Sequence, residues 1–365
     1  MGLPGVAWTF WFPVCFPGSS SRKIANGFGL PDFMSSSRVL ITGAAGFIGS
    51  HVADACLARG MEVVGMDNLS GGFRRNLSPA VRLFEGDIRD SAFVDRVWAE
   101  GGPFDYVYHF AAYAAEGLSH HVRCFNYETN LVGSARLINA AIRHQVRHFV
   151  FSSSIAVYGA GQLPLSEGTV PRPEDPYGVA KHAVELDLAA AARIFGLRHT
   201  IFRPHNVYGE RQHYGDRYRN VVGIFLNQCL RGEPMTILGD GLQTRAFTYI
   251  GDIAEAIARA PLVAEAANEV FNIGEDSPTR ILDLAREIAE AVGIEPRIRH
   301  FPARPEVVHA VADHSRLRSI FGELPSTPLR EGIRRMVHWA RTLGPTEPSR
   351  FGSLELPKNL PSIWE

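Results

Sequence analysis

Tyr177 and Lys181 stand four residues apart in the segment Asp175-Pro-Tyr-Gly-Val-Ala-Lys181, a spacing that puts a phenol and an ammonium on one face of a helix. Asp175 suits the cap of that helix and Pro176 its first turn. A phenol titrates at about 10 in water, and a nearby cation favours the phenolate. Such a group can take a proton from a hydroxyl while hydride leaves the same carbon. Ser152-Ser-Ser154-Ile-Ala-Val-Tyr158-Gly159 follows an apolar run at 148–152, where an open α/β sheet places ligand-contacting groups. Ser154 is the hydroxyl expected to complete a Ser/Tyr/Lys triad. Taken singly, a serine run is turn chemistry and a Tyr-x-x-x-Lys is an exposed helix face. Their order behind a cofactor loop makes them a set.

That loop is Gly43-Ala-Ala-Gly46-Phe-Ile-Gly49, between the run VLIT (39–42) and the helical segment SHVADACLARG, which closes at Gly60. Glycines there allow a tight turn and close approach of a pyrophosphate to a helix N-terminus, whose free N–H groups favour anions. Asp67 lies 18 residues beyond Gly49, at the end of the next apolar run. A carboxylate in that place accepts hydrogen bonds from a ribose 2′-hydroxyl and repels a 2′-phosphate. The cofactor expected is NAD.

The elements that must position these residues are written in the same half of the chain. Short β-branched and aromatic runs recur at 39–42, 61–66, 81–85, 104–110, 148–152 and 199–203, separated by helix-length segments. This rhythm predicts βαβ units and a parallel sheet. The fold class is therefore α/β: a Rossmann-type doubly wound sheet over 38–203, with a smaller α/β C-terminal substrate domain over 204–344, some of whose segments return to the sheet. Pro345 to Glu365 is rich in Pro, Ser and Gly and reads as a mobile tail. Val6 to Phe16 is apolar but too short to span a bilayer, and its positive charges follow it where a signal peptide would carry them first. Residues 1–33 are set apart from the fold as an extension.

The chain of 365 residues has 37 Lys and Arg against 38 Asp and Glu, so no global field favours nucleic acid or an anionic membrane. Phosphate must be held by local groups. The four cysteines, Cys15, Cys56, Cys124 and Cys229, are scattered, without the close pairs of a zinc site or a disulfide scaffold. No metal is expected, and a reducing cytoplasm is.

The spacing Gly43, Gly46, Gly49 and the phrase TGAAGFIGSHV (42–52) resemble the extended short-chain dehydrogenase/reductases. With the triad added, the span from Arg38 to about Trp339 resembles the NAD-dependent epimerase/dehydratase family, and within it the UDP-glucose 4-epimerases most. The resemblance implies a transient 4-keto sugar, NAD that stays bound, and a homodimer through the helices near 121–144 and 177–195. It also implies cofactor contacts from Phe47, Ile48, Asn68, Asp87, Ile88, Phe110, Ala111, Ala112 and Asn130. Asp87 can equally be read as the cap of the helix beginning SAFVDRV.

For the UDP-sugar, the resemblance implies contacts from Asn206, Asn220 and Val221, and two arginines, Arg245 and Arg304, on the diphosphate. Guanidinium forks suit that anion. Ala310 falls at the family's gate for the C2 substituent. Sugar-nucleotide dehydratases and decarboxylases carry an acid two places after the triad Ser or Thr, where this chain has Ala156. Epimerisation is thereby favoured over decarboxylation. A uronate epimerase or a reductase stays open, and a non-catalytic NAD-sensing regulator is disfavoured by the retained Tyr177 and Lys181.

Overall fold

The computed structural model describes residues 37–160, 163–303, 309–361 and 363–364, with the side chains of 309 and 310 left aside. Residues 1–33 and Arg304 lie outside the described residues. Six parallel strands, β1 (Arg38–Thr42), β2 (Glu62–Asp67), β3 (Arg82–Glu85), β4 (Tyr106–His109), β5 (His148–Ser152) and β6 (His199–Pro204), occupy the six runs read from the sequence. Between and after them run helices α1 (Phe47–Ala58), α2 (Ser91–Gly101), α3 (Glu116–Ser119), α4 (Arg123–Tyr127), α5 (Gly133–Arg143) and α6 (Pro176–Phe195).

The second half adds β7 (Val207–Tyr208), α7 (Val221–Leu230), β8 (Met235–Leu238), β9 (Thr244–Ala246), β10 (Thr248–Tyr249), α8 (Ile250–Arg259) and β11 (Glu269–Ile273). It continues with β12 (Pro278–Arg280), α9 (Ile281–Val292), β13 (Ile298–Phe301), β14 (His309–Ala310), α10 (Ser315–Phe321) and α11 (Leu329–Leu343). The central sheet has seven strands in the order β11-β6-β5-β4-β1-β2-β3, so β11 of the second half forms its edge beside β6.

Successive strand side chains point to opposite faces, and both faces are covered. Val39, Ile41, Val63, Tyr108, Val150 and Phe202 join one core, while Leu40, Val64, Val107, Phe149, Phe151 and Ile201 join the other. That is why these strands read as continuous apolar runs instead of alternating ones. Chain order reverses between β1 and β4, which opens a crevice at their carboxyl ends, the usual ligand site of such sheets. Gly43 and Ala111, which follow those two strands, meet there.

The described residues of the segment from Pro345 onward, read from composition as a mobile tail, touch distant parts of the chain. Asn227 exchanges two hydrogen bonds with the Thr346 main chain, at 2.8 and 3.0 Å. Glu355 accepts the Cys124 and Phe125 amides at 2.8 and 2.9 Å, and Phe351 sits 5.0 Å from the Phe125 ring centre. Pro, Ser and Gly composition describes what a segment cannot bury by itself. It is silent on partners supplied by distant residues.

Candidate active site

The glycine loop leaves β1 with Gly43 at φ 67°, a left-handed conformation that a Cβ penalises. A Cβ at Gly43 would also lie 2.7 Å from the Ala111 nitrogen, and one at Gly49 would overlap the Gly43 carbonyl oxygen. The backbone is bare where strand turns into helix and where the loops after β1 and β4 touch. Helix α1 then starts with no acidic residue and no side-chain cap in its first turn, so its leading N–H groups face the cleft without an internal partner.

Asp67 closes β2 and is buried. Its Oδ2 accepts the Ala45 amide at 2.9 Å and its Oδ1 the Leu69 amide at 2.7 Å, which braces the carboxylate against the loop. Burial raises its pKa, partly offset by those amides. A bare loop, unpartnered helix amides and a fixed carboxylate are the donor and acceptor set that an adenine dinucleotide needs.

Asp175 caps α6 by accepting the Gly178 amide at 2.9 Å, and Pro176 fills the first turn as expected. Tyr177 and Lys181 are thereby buried side by side at the end of β5. The Lys181 Nζ donates to the Ser152 carbonyl at 2.8 Å and lies 5.7 Å from the Tyr177 ring centre. Burial brings the Lys181 ammonium down to about 7, opposed by Glu185. The Tyr177 phenol goes the other way from the simple expectation: burial and then the Glu116 charge push it well above its ordinary value, against a hydrogen bond with Ser154. Within the chain alone Tyr177 is neutral, and a further positive charge beside it is needed to make a base.

The cleft that joins these parts has a volume of about 350 Å³ and is lined by the glycine loop, Asp67, Asn68, Asp87, Ile88, the Phe110-Ala111-Ala112 turn, Ser154, Tyr177, Lys181, Asn206 and Asn220. Phe47 and Ile48 line it from α1. Asp87 is not the cap of α2, a task Asp90 performs by accepting the Ala92 and Phe93 amides. It instead binds Asn68 at 2.8 Å and Arg89 at 2.9 Å, and these partners outweigh burial to lower its pKa.

Other residues read from the sequence are placed differently. Asn130 sits in a π-helical stretch at 128–132 with its amide engaged by the Tyr113 main chain and by Asn126, so it shapes the cleft wall from behind. Asn220 faces the cleft, yet its Oδ1 caps α7 at the Val222 amide and its Nδ2 donates to the Val207 carbonyl. Its side chain is already engaged. Asn206 is held at φ 41° and donates to the Ala246 carbonyl at 3.1 Å. Val221 opens α7, half-buried. Arg245 lies in β9, outside the cleft lining, with Nη1 on the Thr244 carbonyl. Ala310 is paired by backbone register with Arg245.

The lining also holds residues that the sequence reading passed over: Tyr113, Gly71, Gly72, Gln212, His213 and, as a site residue, Arg219. The Arg219 guanidinium lies 4.6 Å from the Tyr113 ring centre and pairs with Asp216 at 2.8 Å. A glycine pair just beyond Asp67 was the available signal. Among the described residues there is no group of three or more potential metal ligands, and no helix is long and apolar enough to cross a membrane.

A crevice at the switch point of a doubly wound parallel sheet, opening onto buried Ser154, Tyr177 and Lys181, defines a Rossmann-type dinucleotide-binding scaffold. Residues 39–274 match the NAD dependent epimerase/dehydratase family, and the chain belongs to it. It is an enzyme family that uses NAD and acts on nucleotide-sugars. A UDP-glucose 4-epimerase of Mycolicibacterium smegmatis is 36% identical over 314 residues, covering 83% of this chain and 98% of that protein. A UDP-N-acetyl-alpha-D-glucosaminuronate decarboxylase of Bacillus cytotoxicus is 29% identical over 84% of this chain and 98% of its own. The Thermotoga maritima UDP-glucose 4-epimerase with UDP-glucose superposes with a TM-score of 0.77 at 36% identity, covering 84% of this chain and 99% of that one. The Thermus thermophilus UDP-glucose 4-epimerase in complex with NAD gives 0.77 at 34% identity, covering 83% and 99%.

Proposed function

We propose that the protein interconverts UDP-hexoses at C4, UDP-glucose and UDP-galactose being the substrate pair. The observation that carries this reading is the composition of the turn after β5: Ser154 touches Tyr177, while the position two residues on, where eliminating and decarboxylating members of the family keep an acid, is Ala156. With no acid there, the triad is equipped for oxidation and re-reduction alone.

Ser154 holds the sugar hydroxyl, Tyr177 takes its proton and later returns it, and Lys181, fixed on the Ser152 carbonyl, keeps a positive charge beneath the site. Bound NAD supplies reversible hydride acceptance. With NAD held there, C4 would lose hydride as its hydroxyl gives its proton to Tyr177; the ketone would turn over in the cleft, C4 would take hydride back on its other face and its oxygen would regain the proton from Tyr177, so the sum is redox-neutral. Asp67 selects the ribose 2′-hydroxyl, with Gly43, Gly46 and Gly49 admitting the pyrophosphate, and Asn206, Arg245 and Arg304 serve the UDP-sugar. Glu116 lines the cleft beside Tyr177, and its charge favours a neutral sugar over a uronate.

Ala310, in the two-residue strand β14 and paired beside Arg245 in β9, is read as an open gate for an N-acetyl group at C2 because a methyl side chain leaves room there. For a homodimer, α6 offers Val179, Leu186 and Ile194, exposed at spacings of seven and eight residues, and Val132 is exposed just before α5. Such a stripe suits helix–helix contact.

The test is to incubate the purified protein with UDP-glucose, UDP-galactose, UDP-glucuronate and their N-acetylhexosamine analogues without added NADH. Interconversion of the neutral hexoses is expected. Loss of water or carbon dioxide from the sugar, or stoichiometric consumption of cofactor, sinks the reading.

A further inference from the structure

The sugar side of the cleft is walled by two stretches far apart in sequence, Tyr113 with the helices that follow it to residue 127, and the loop 212–220 that leads into α7. Between themselves the walls meet through the Arg219–Tyr113 stack. Tyr218 also packs against Ala115, Leu118 and Val122, and further contacts spanning the walls come from described residues after 344, which lie beyond the span of the family match.

The segment leaves α11 beside the loop 212–220. The Tyr214 hydroxyl donates to the Gly344 carbonyl at 2.6 Å, and the Ser349 amide to the Gly215 carbonyl at 2.7 Å. It then reaches the other wall. Phe351 enters an aromatic cluster with Tyr113 at 5.4 Å and Phe125 at 5.0 Å between ring centres. Glu355 accepts the two amides that begin α4, its own amide and that of Leu356 donate to the His121 carbonyl at 3.0 and 3.1 Å, and His121 Nδ1 closes on the Leu356 carbonyl at 2.8 Å. Finally the chain returns: Arg217 donates to the Ile363 carbonyl at 2.6 Å, and Trp364 lies edge-on to both Tyr218 at 5.2 Å and His121 at 5.9 Å.

We propose that residues 345–364 are a strap that holds the two sugar-side walls together and thereby sets the affinity for the nucleotide-sugar, leaving NAD binding to the glycine loop. This rests on the functional reading above for the identity of the ligand. Two crossings with anchors at both ends are more than a trailing segment needs to be covered. The anchors fall between Tyr113 and Phe125 on one wall and between Tyr214 and Arg231 on the other, and among the described residues none of these contacts is to the β1–α1 loop. Fixing those two side chains in advance removes ordering entropy that binding would otherwise have to overcome.

The experiment uses the full chain with Glu355→Gln alone and with Phe351→Ala plus Glu355→Ala. Hydrogen exchange of the free holoenzyme is expected to quicken about tenfold or more in residues 113–127 and 213–220 while β1 and β5 keep their protection. The dissociation constant for UDP-glucose, by titration calorimetry, is expected to rise about tenfold in the double variant and less in Glu355→Gln, with the content of bound NAD unchanged. Unaltered exchange in the two walls overturns the strap. Faster exchange with undiminished UDP-glucose affinity overturns its role at the site, and joint loss of NAD and of sheet protection makes the segment a general brace instead. A wild type that binds UDP-glucose without converting it refutes the proposed reaction and leaves the strap standing; one that binds no UDP-glucose refutes the ligand, and the exchange measurement alone then decides the strap.

Discussion

The Lys181 ammonium is tied to the Ser152 carbonyl at 2.8 Å, at the end of β5, so the cation of the site is anchored to the sheet and not to the phenol it serves. In the proposed reaction Tyr177 exchanges its proton with substrate while the Lys181 side chain stays held on the sheet.

Replacing Tyr177 by Phe is expected to lower turnover by about two orders of magnitude or more, the usual scale of general acid–base catalysis, while titration calorimetry shows little change in nucleotide-sugar affinity. Wild-type turnover in that variant removes Tyr177 from the proton transfer.

Gly49→Ala places a methyl group on the Gly43 carbonyl oxygen. Protein purified from this variant is expected to carry no NAD, measured by release on denaturation, and to melt at a lower temperature than the holoenzyme. Asp67→Ala is gentler and is expected to reduce the preference for NAD over NADP about tenfold, read from the two dissociation constants. Full NAD occupancy in Gly49→Ala contradicts the placement of the pyrophosphate.

Glu185 and Arg203 form a buried pair at 2.6 Å, shared with Ser153 and Tyr158. Glu185→Ala leaves a buried guanidinium without its counter-charge and is expected to cost about 3–5 kcal/mol, with much of it recovered when Arg203→Met is added. Burial pushes the Glu185 carboxyl up, but Arg203, His182 and Ser153 outweigh it and hold the pKa below its ordinary 4.5. The sign follows: the pair stabilises fully above pH 4.5 and is lost as pH falls through the lowered value. Urea unfolding between pH 7 and pH 3 is expected to show that loss in the wild type and not in the double variant.

Ala310→Tyr is expected to abolish turnover of UDP-N-acetylglucosamine and spare UDP-glucose, because steric overlap rejects a larger substrate more strongly than a smaller one. Equal effects on both sugars in a coupled assay contradict the gate.

Six strands, the glycine loop and the α6 cap were legible because each is a local matter: a β-branched run, a bare turn, an Asp before a Pro. Asp87 and Asp90 show the limit, since both suit a cap and only the backbone decides which one meets the Ala92 amide. Asn130 and Asn220 line up in the chain with ligand contacts, yet their amides are engaged by Tyr113 and by Val207 and Val222. The attachment of Glu355 to Cys124 spans 231 residues, and no periodicity or composition records a bond between segments so distant. Arg219 went unmarked as a site residue because one arginine in a polar loop has no signature until the ring beneath it is placed.

The pairing of β11 with β6 has a consequence for synthesis on the ribosome. When residues 38–203 have emerged, six of the seven strands can assemble, and β6 is left as an open edge that offers its amides and carbonyls to any neighbouring nascent chain. That edge closes only after about seventy further residues, some seconds of translation at usual rates. Slow codons between β6 and β11 would prolong the interval, and a chaperone that shields β6 would shorten its danger.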